Sequence, residues 1–453
     1  MKRRVASVCL CIAAVLLLLG PRFSAGAAVL YTYPQEDDLT APSAMLVYLG
    51  VLPEQDVILY EKNADAAYQT GALLRVAVGV YAMQCIEQQG LDMDAVTGAY
   101  SKTLFNHYVT GTGLGTASMA FGEEWTLRDL LSVCMVQTAA DAAVTLAQTL
   151  SGSVEAFVEG MNRMIAQAGC THTTFTNVTG EDDVRSVQSA RDLYTLMRLA
   201  ADDPVLRDMM SQPYVTVHPV KGGDTRGWEN TNALLRSTSE YYYGKARYGR
   251  CGTGGDDYLQ NVAVVAADGG YEYLAIIMGV PRSQTGAYFT QAKQLLQWGF
   301  SAFSYKTLLS KNEVIAKMPV SLAWETDAVA LVALNEVASV VANEIESDMV
   351  RRQVTLYQPD IAAPVTKGQV LGKVELFLNE DRKIGESELV AGQSLEKSTL
   401  LDLWENKVLK ILTSRWTWLA VGLVVLLIVG YLLLNLWYNR SRRRRKVNKR
   451  FRL

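Results

Sequence analysis

The sequence predicts an α+β domain, then a small all-β module, then one C-terminal membrane-spanning helix. Three observations lead there. Residues 28–300 place strand-like hairpins towards both ends and helix patterns between them, the order expected of an antiparallel sheet with clustered helices. Residues 311–400 carry short β-like pieces separated by polar turns, as in a small all-β unit. Trp416 to Tyr438 runs 23 residues without a charge, about 35 Å as a helix.

Taken in order, residues 1–27 read as a secretory signal. Lys2-Arg3-Arg4 is the charged region, Val5 to Leu19 the apolar core, and Ala25-Gly26-Ala27 a cleavage pattern,. The alternative is an uncleaved anchor. Ala44–Leu49 and Val57–Tyr60 form a hairpin pattern about Gly50 and Pro53,. Leu73 to Met83 has no polar face beyond Arg75 and Tyr81, so a helix buried on all sides is expected, with Gly90 as its C-cap. Leu91 to Ala120 is rich in Gly and Thr and is expected to be irregular. Thr126 and Asp129 form a capping-box-like start for the next helix,. That helix breaks at Gln137 to Ala140, and Asp141 is expected to cap its successor. Further helices are expected over Ser153–Ala168 and Ser189–Ala200. Leu259–Ala266 and Glu272–Gly279 flank Asp268-Gly269-Gly270, a hairpin turn composition,. Gln291–Phe303 closes the domain as a helix.

In the second module, strands are expected at Val314–Val320, Ala328–Leu334, Gln353–Leu356, Val370–Leu378 and Ile384–Val390,. The expected organisation is signal 1–27, first domain 28–306, β module 307–400, juxtamembrane segment 401–415, span 416–438 and basic tail 439–453. The chain has 453 residues, 49% hydrophobic and 20% charged, with formal net charge −3. That balance hides an asymmetry. Both ends are basic, leaving 30 Lys and Arg against 46 Asp and Glu between them. An acidic middle excludes nucleic acid as the expected partner. The basic run after an apolar span with Trp at both ends instead fits membrane topology, the tail in the cytoplasm and residues 28 to about 410 outside.

Cys9 and Cys11 leave with the signal. Cys85, Cys134, Cys170 and Cys251 remain, at spacings that match no zinc pattern,. No metal and no cofactor is expected, since no phosphate loop, dinucleotide fingerprint or zinc-protease helix is present.

Tyr60-Glu61-Lys62-Asn63-Ala64-Asp65, then a loop and the buried helix, resembles the serine-type D-alanyl-D-alanine carboxypeptidases, the low-molecular-weight penicillin-binding proteins. Further stretches carry the same resemblance in order. They are Gly152 to Val158 with Met161-Asn162, Asn230 to Leu235, and Pro364 to Gly372 in the β module. Together they cover about residues 42–400. The resemblance implies the penicillin-binding-protein/β-lactamase-like fold and three catalytic motifs, S-x-x-K, S-x-N and K-T-G. A serine acyl-transferase needs an activated hydroxyl, a proton shuttle, oxyanion donors and a cation for the substrate carboxylate.

At the motif positions the chemistry is altered. Ala72 stands for the serine and has no hydroxyl to acylate; Arg75 stands for the lysine and stays protonated. Thr138 stands for the second serine and Ala140 for the asparagine; the bland reading is a helix–helix connection without function. Thr253 and Gly254 match T-G, and Gly252 replaces the lysine. Arg250, on the same strand face, is a candidate cation, so Thr138, Arg250 and Thr253 are the ligand-binding candidates. No residue is assigned catalysis.

The literal Ser394-Leu395-Glu396-Lys397 lies in the β module and is attributed to chance. Cys134 or Cys251 as nucleophile, with His107, His172 or His218 as base, has no spacing to support it. The expectation is a pseudoenzyme of the cell envelope holding peptidoglycan stem peptide or partner proteins. The alternatives are an active carboxypeptidase with a displaced nucleophile, drawn from Thr138, Cys251 and Thr253, and a structural scaffold.

Overall fold

The computed structural model describes residues 33, 39–69, 71–255, 258–378, 382–399, 403 and 414–450. The signal segment 1–27, with Cys9 and Cys11, and most of 401–415 lie outside them. The chain divides into two compact units. One runs to Lys306 and includes Ser339–Ile345; the other comprises Thr307–Ala338 and the chain from Glu346 onward.

In the first unit, β1 (Ser43–Leu49) and β2 (Val57–Lys62) pair antiparallel. A 3-10 turn, Gly71–Leu74, then leads into α1 (Arg75–Gln89), ended by Gly90 at φ 63°. Alpha helices α2 (Lys102–Tyr108), α3 (Leu127–Val136), α4 (Ala140–Ser151), α5 (Val154–Gln167), α6 (Ala190–Asp202) and α7 (Pro204–Ser211) follow. Strands β3 (Ala246–Gly254), β4 (Leu259–Asp268) and β5 (Tyr271–Val280) and helix α8 (Ala287–Ala302) close the unit. The sheet order is β2-β1-β5-β4-β3, antiparallel throughout.

The sheet is covered on both faces, and the strand alternation shows how. Met45, Val47, Leu274 and Ile276 join the core of α1–α7. Ala44, Leu46, Tyr273, Ala275 and Ile277 join the core under α8, where Leu295 and Leu296 meet them. Val340 and Ala342 pack into that second core as well. Asn343 follows, its N–H donating to Ala302 O at 2.9 Å. These contacts explain why 339–345 belongs with the first unit.

Thr126 caps α3 by accepting from the Asp129 N–H at 3.0 Å. Ser153 and Ser189 cap α5 and α6 in the same way. Two local expectations fail and one helix is added. The Gly/Thr-rich stretch contains α2, started by a Ser101 cap. Helix α7 is additional to the expected elements; Asp203 caps it through Val205 and Leu206, with Pro204 at its first position,. The cap of α4 is Ala139, not Asp141. Asp141 lies inside the first turn, where its Oδ1 accepts from Ala117 N at 2.7 Å and its Oδ2 from Met119 N at 3.3 Å. The carboxylate ties the 115–119 loop to the helix start instead of capping it.

In the second unit, β6 (Val314–Ser321), β7 (Ala328–Ala333), β8 (Arg351–Leu356), β9 (Ile361–Ala362), β10 (Val370–Leu378) and β11 (Arg382–Ala391) form one sheet. Its order is β8-β10-β11-β7-β6-β9, antiparallel except for β6 with β9. Helix α9 (Arg415–Arg450) contains a 23-residue stretch, Trp418–Arg440, long and apolar enough to cross a membrane.

Candidate functional site

The fold brings the three motif stretches together at the start of α1, the α3–α4 break and the end of β3. At the first, Gly71 has φ 51°, and a Cβ there would lie 1.9 Å from Thr253 O. Only glycine permits that approach, so the turn packs main chain to main chain on β3. From another direction Gly180 closes in: its Cβ would lie 2.8 Å from Ala72 N. Ala72 is 8% exposed.

Arg75 is fully buried. Its Nη1 donates to Val178 O, and its Nη2 donates to Thr179 O at 3.0 Å. A planar fork suits two successive carbonyls, where a lysine would offer one point charge. Burial lowers the pKa of this guanidinium. Arg75 thus serves as a strut for the 176–183 loop.

At the second position, Ala140 is fully buried and its N–H donates to Gly115 O at 2.9 Å. Thr138 is half-buried. Its N–H donates to Gln137 Oε1 at 2.8 Å, and its hydroxyl faces Gly115, whose Cβ would lie 2.7 Å from Oγ1.

At the third, Gly252 and Gly254 are buried and Thr253 is exposed. Arg250 does not present a cation to a ligand. It is fully buried. Its Nη1 donates to Met135 O at 3.0 Å and Thr231 Oγ1 at 3.2 Å, and its Nη2 to Gln137 O at 2.9 Å. The guanidinium satisfies the carbonyl end of α3, where a cation is favoured by the helix dipole. Burial pulls its pKa down to about 10. Reading Arg250 by strand face alone missed this, because that face is covered by the helices.

The sequence reading also missed the 176–183 loop. Asn177 Oδ1 accepts from Gly180 N at 2.8 Å, which shapes the turn,. Asp182 Oδ1 accepts from Gly255 N at 2.8 Å, fastening the loop to the end of β3. The signal available was Asn177-Val178-Thr179-Gly180, a turn composition. Its role depends on partners far away in the chain.

Cys134 and Cys251 are buried and unbridged. Burial pushes the Cys134 thiol up to about 11 and raises that of Cys251, the opposite of an activated thiol. His172 lies beside Thr171 at 3.1 Å and His218 beside Thr225 at 2.7 Å. His107 stacks edge-on against Tyr108. Ser394 and Lys397 lie in extended chain, Leu395 bridging Val365 and Lys397 bridging Ala323, so they do not share a helix face. Among the described residues no cluster of three His, Cys, Asp or Glu is placed to hold a metal ion.

An antiparallel sheet covered by helices on both faces, with the three motif positions gathered at one edge, defines the penicillin-binding-protein class of fold. The chain belongs to the D-alanyl-D-alanine carboxypeptidase family, whose family model matches residues 31–259. The model of the penicillin-binding protein 5 C-terminal domain matches residues 303–397. Similar curated proteins include the D-alanyl-D-alanine carboxypeptidase DacC of Escherichia coli K12, 24% identical over 80% of this chain and 87% of that protein. DacF of Bacillus subtilis 168 is 23% identical over 84% and 93%. Among solved structures, penicillin binding protein 5 from Haemophilus influenzae superposes with a TM-score of 0.60 at 22% identity, covering 81% of this chain and all of that one.

Proposed function

We propose that the chain is a pseudoenzyme of the peptidoglycan layer, anchored to the membrane and working by binding, not by acyl transfer. One observation carries this reading. The nucleophile position is Ala72, and the lysine position is an arginine whose guanidinium is spent on Val178 O and Thr179 O. There is neither a hydroxyl to acylate nor a group free to accept its proton. The losses at Ala140 and Gly252 act in the same direction, since they remove side-chain donors that the family places around the substrate. What the chain holds is peptidoglycan stem peptide or a partner protein of the envelope.

The apolar stretch Trp418–Arg440 supports a single-pass anchor. The basic tail supports a cytoplasmic C-terminus, with the two units on the outer face. The competing reading is a carboxypeptidase with a displaced nucleophile. It would rest on Thr138, Cys251 or Thr253. The thiol is buried with a raised pKa, and the Thr138 hydroxyl faces Gly115.

The test is fluorescent penicillin labelling of the full-length chain in isolated membranes, beside an active carboxypeptidase. The expected result is no covalent label on this chain. A covalent label would overturn the proposal, and mass spectrometry of the labelled peptide would identify the nucleophile.

A further inference from the structure

A cleft of about 410 Å³ lies between the end of α2, the first turns of α5 and the 176–183 loop. That is within the range of roughly 300–1,000 Å³ typical of small-ligand sites. It is separate from the three motif stretches but shares a wall with them. Val178 and Thr179 line it, and their carbonyls hold Arg75. Arg75 therefore also fixes this wall.

The lining has two parts. Val158 supplies apolar surface beside the Tyr108 ring, backed by the buried Val154 and Val178. Glu155, Glu181 and Asp182 supply carboxylates; His107 also lines the cleft, and no Lys or Arg does. Asp183 also lines it but is paired with Arg185 at 2.7 Å. The polarity is set by geometry. The Tyr108 hydroxyl donates to Glu155 Oε1 at 2.5 Å, so the phenol is used as a donor and the carboxylate stays an acceptor. Glu155 also lies in the first turn of α5, where the helix dipole favours its ionised form. The hydrogen bond from Tyr108 holds the Glu155 pKa low.

An apolar strip at Val158 beside an aromatic ring, with carboxylates outnumbering the one histidine, suits a ligand with an aliphatic stem and a positive head. We propose that this cleft binds a small amphipathic cation: a primary ammonium on an aliphatic stem, as a lysyl side chain presents. The stem lies along Val158 and the Tyr108 ring, and the ammonium meets Glu155 and Glu181. This assignment is independent of the loss of catalysis, because penicillin labelling reads the motif positions and not this cleft.

The experiment titrates the full-length chain in detergent micelles with acetyl-lysine amide and, separately, acetyl-norleucine amide, by ligand-observed NMR. The expected result is saturable binding of the lysine compound and much weaker binding of the uncharged one. Glu181→Gln should weaken lysine binding by about fivefold, the scale of one partly exposed ion pair. Val158→Trp should abolish binding by filling the cleft. Absence of saturable binding overturns the proposal, as does equal affinity for norleucine. Indifference to Glu181→Gln does so too, and this variant tests the idea even if Val158→Trp does not fold, since Glu181 is exposed.

Discussion

Arg75 and Arg250 are the residues whose roles changed most between sequence and structure. Each is fully buried, and each spends its guanidinium on main-chain carbonyls. Arg75 helps to lower the pKa of Arg250, and both guanidinium groups act on the buried Cys134. An arginine used in this way cannot be removed without leaving carbonyls unpaired inside the protein. Arg250→Ala is expected to destabilise the first unit by about 3 kcal/mol, the scale of losing charged hydrogen bonds and stranding their acceptors. Thr253→Ala, at an exposed position, should stay within about 0.5 kcal/mol. Chemical denaturation of the two variants checks the contrast, and equal stability would refute the structural role of Arg250. The sequence showed that Arg250 shares a strand face with the K-T-G lysine position. It could not show that this face is roofed by α3.

At the scale of elements, the β1–β2 turn is locked to α6 by one buried carboxylate. Asp56 accepts from Gly50 N at 2.8 Å and from the Tyr194 hydroxyl at 2.9 Å, with Arg198 Nε at 3.6 Å. Burial outweighs these favourable partners and raises its pKa to about 6 from 3.8. A carboxyl with a raised folded pKa binds its proton more readily in the folded state. Its stabilisation is therefore complete below about pH 4 and lost as pH rises through about 6. The stability of the parent chain relative to Asp56→Asn is expected to fall across that window by on the order of 2 kcal/mol. Thermal melts of both proteins between pH 4 and 7 measure it; parallel curves would contradict it. Elements with a local signature were legible. The Thr126 cap, the helix starts at Ser153 and Ser189, the Gly90 stop and the Gly269-Gly270 hairpin all stand where the residues indicated. Helix α2, at seven residues, is too short for periodicity to reveal. Asp141 was misjudged because a capping residue type was used for a loop tie of longer range.

At the scale of the whole molecule, two globular units precede a helix able to cross a membrane. Removing residues 414–453 should move the protein from the carbonate-resistant membrane fraction to the soluble extracytoplasmic fraction. A truncated chain that stayed with the membrane would show that the anchor lies elsewhere. The sequence alone determined the α+β order, the β module, the apolar span and the absence of a hydroxyl at residue 72. These are local properties: residue type, periodicity of 2 or 3.6, and the length of an uncharged run. Tertiary structure alone decided what Arg75 and Arg250 do. Arg75 finds its carbonyls 103 and 104 positions away, and Arg250 finds its own 115 and 113 positions away. Hydrogen bonds between such distant main-chain groups leave no periodic trace in a sequence. The same is true of the 176–183 loop that Gly180 presses against Ala72 and Asp182 fastens to β3.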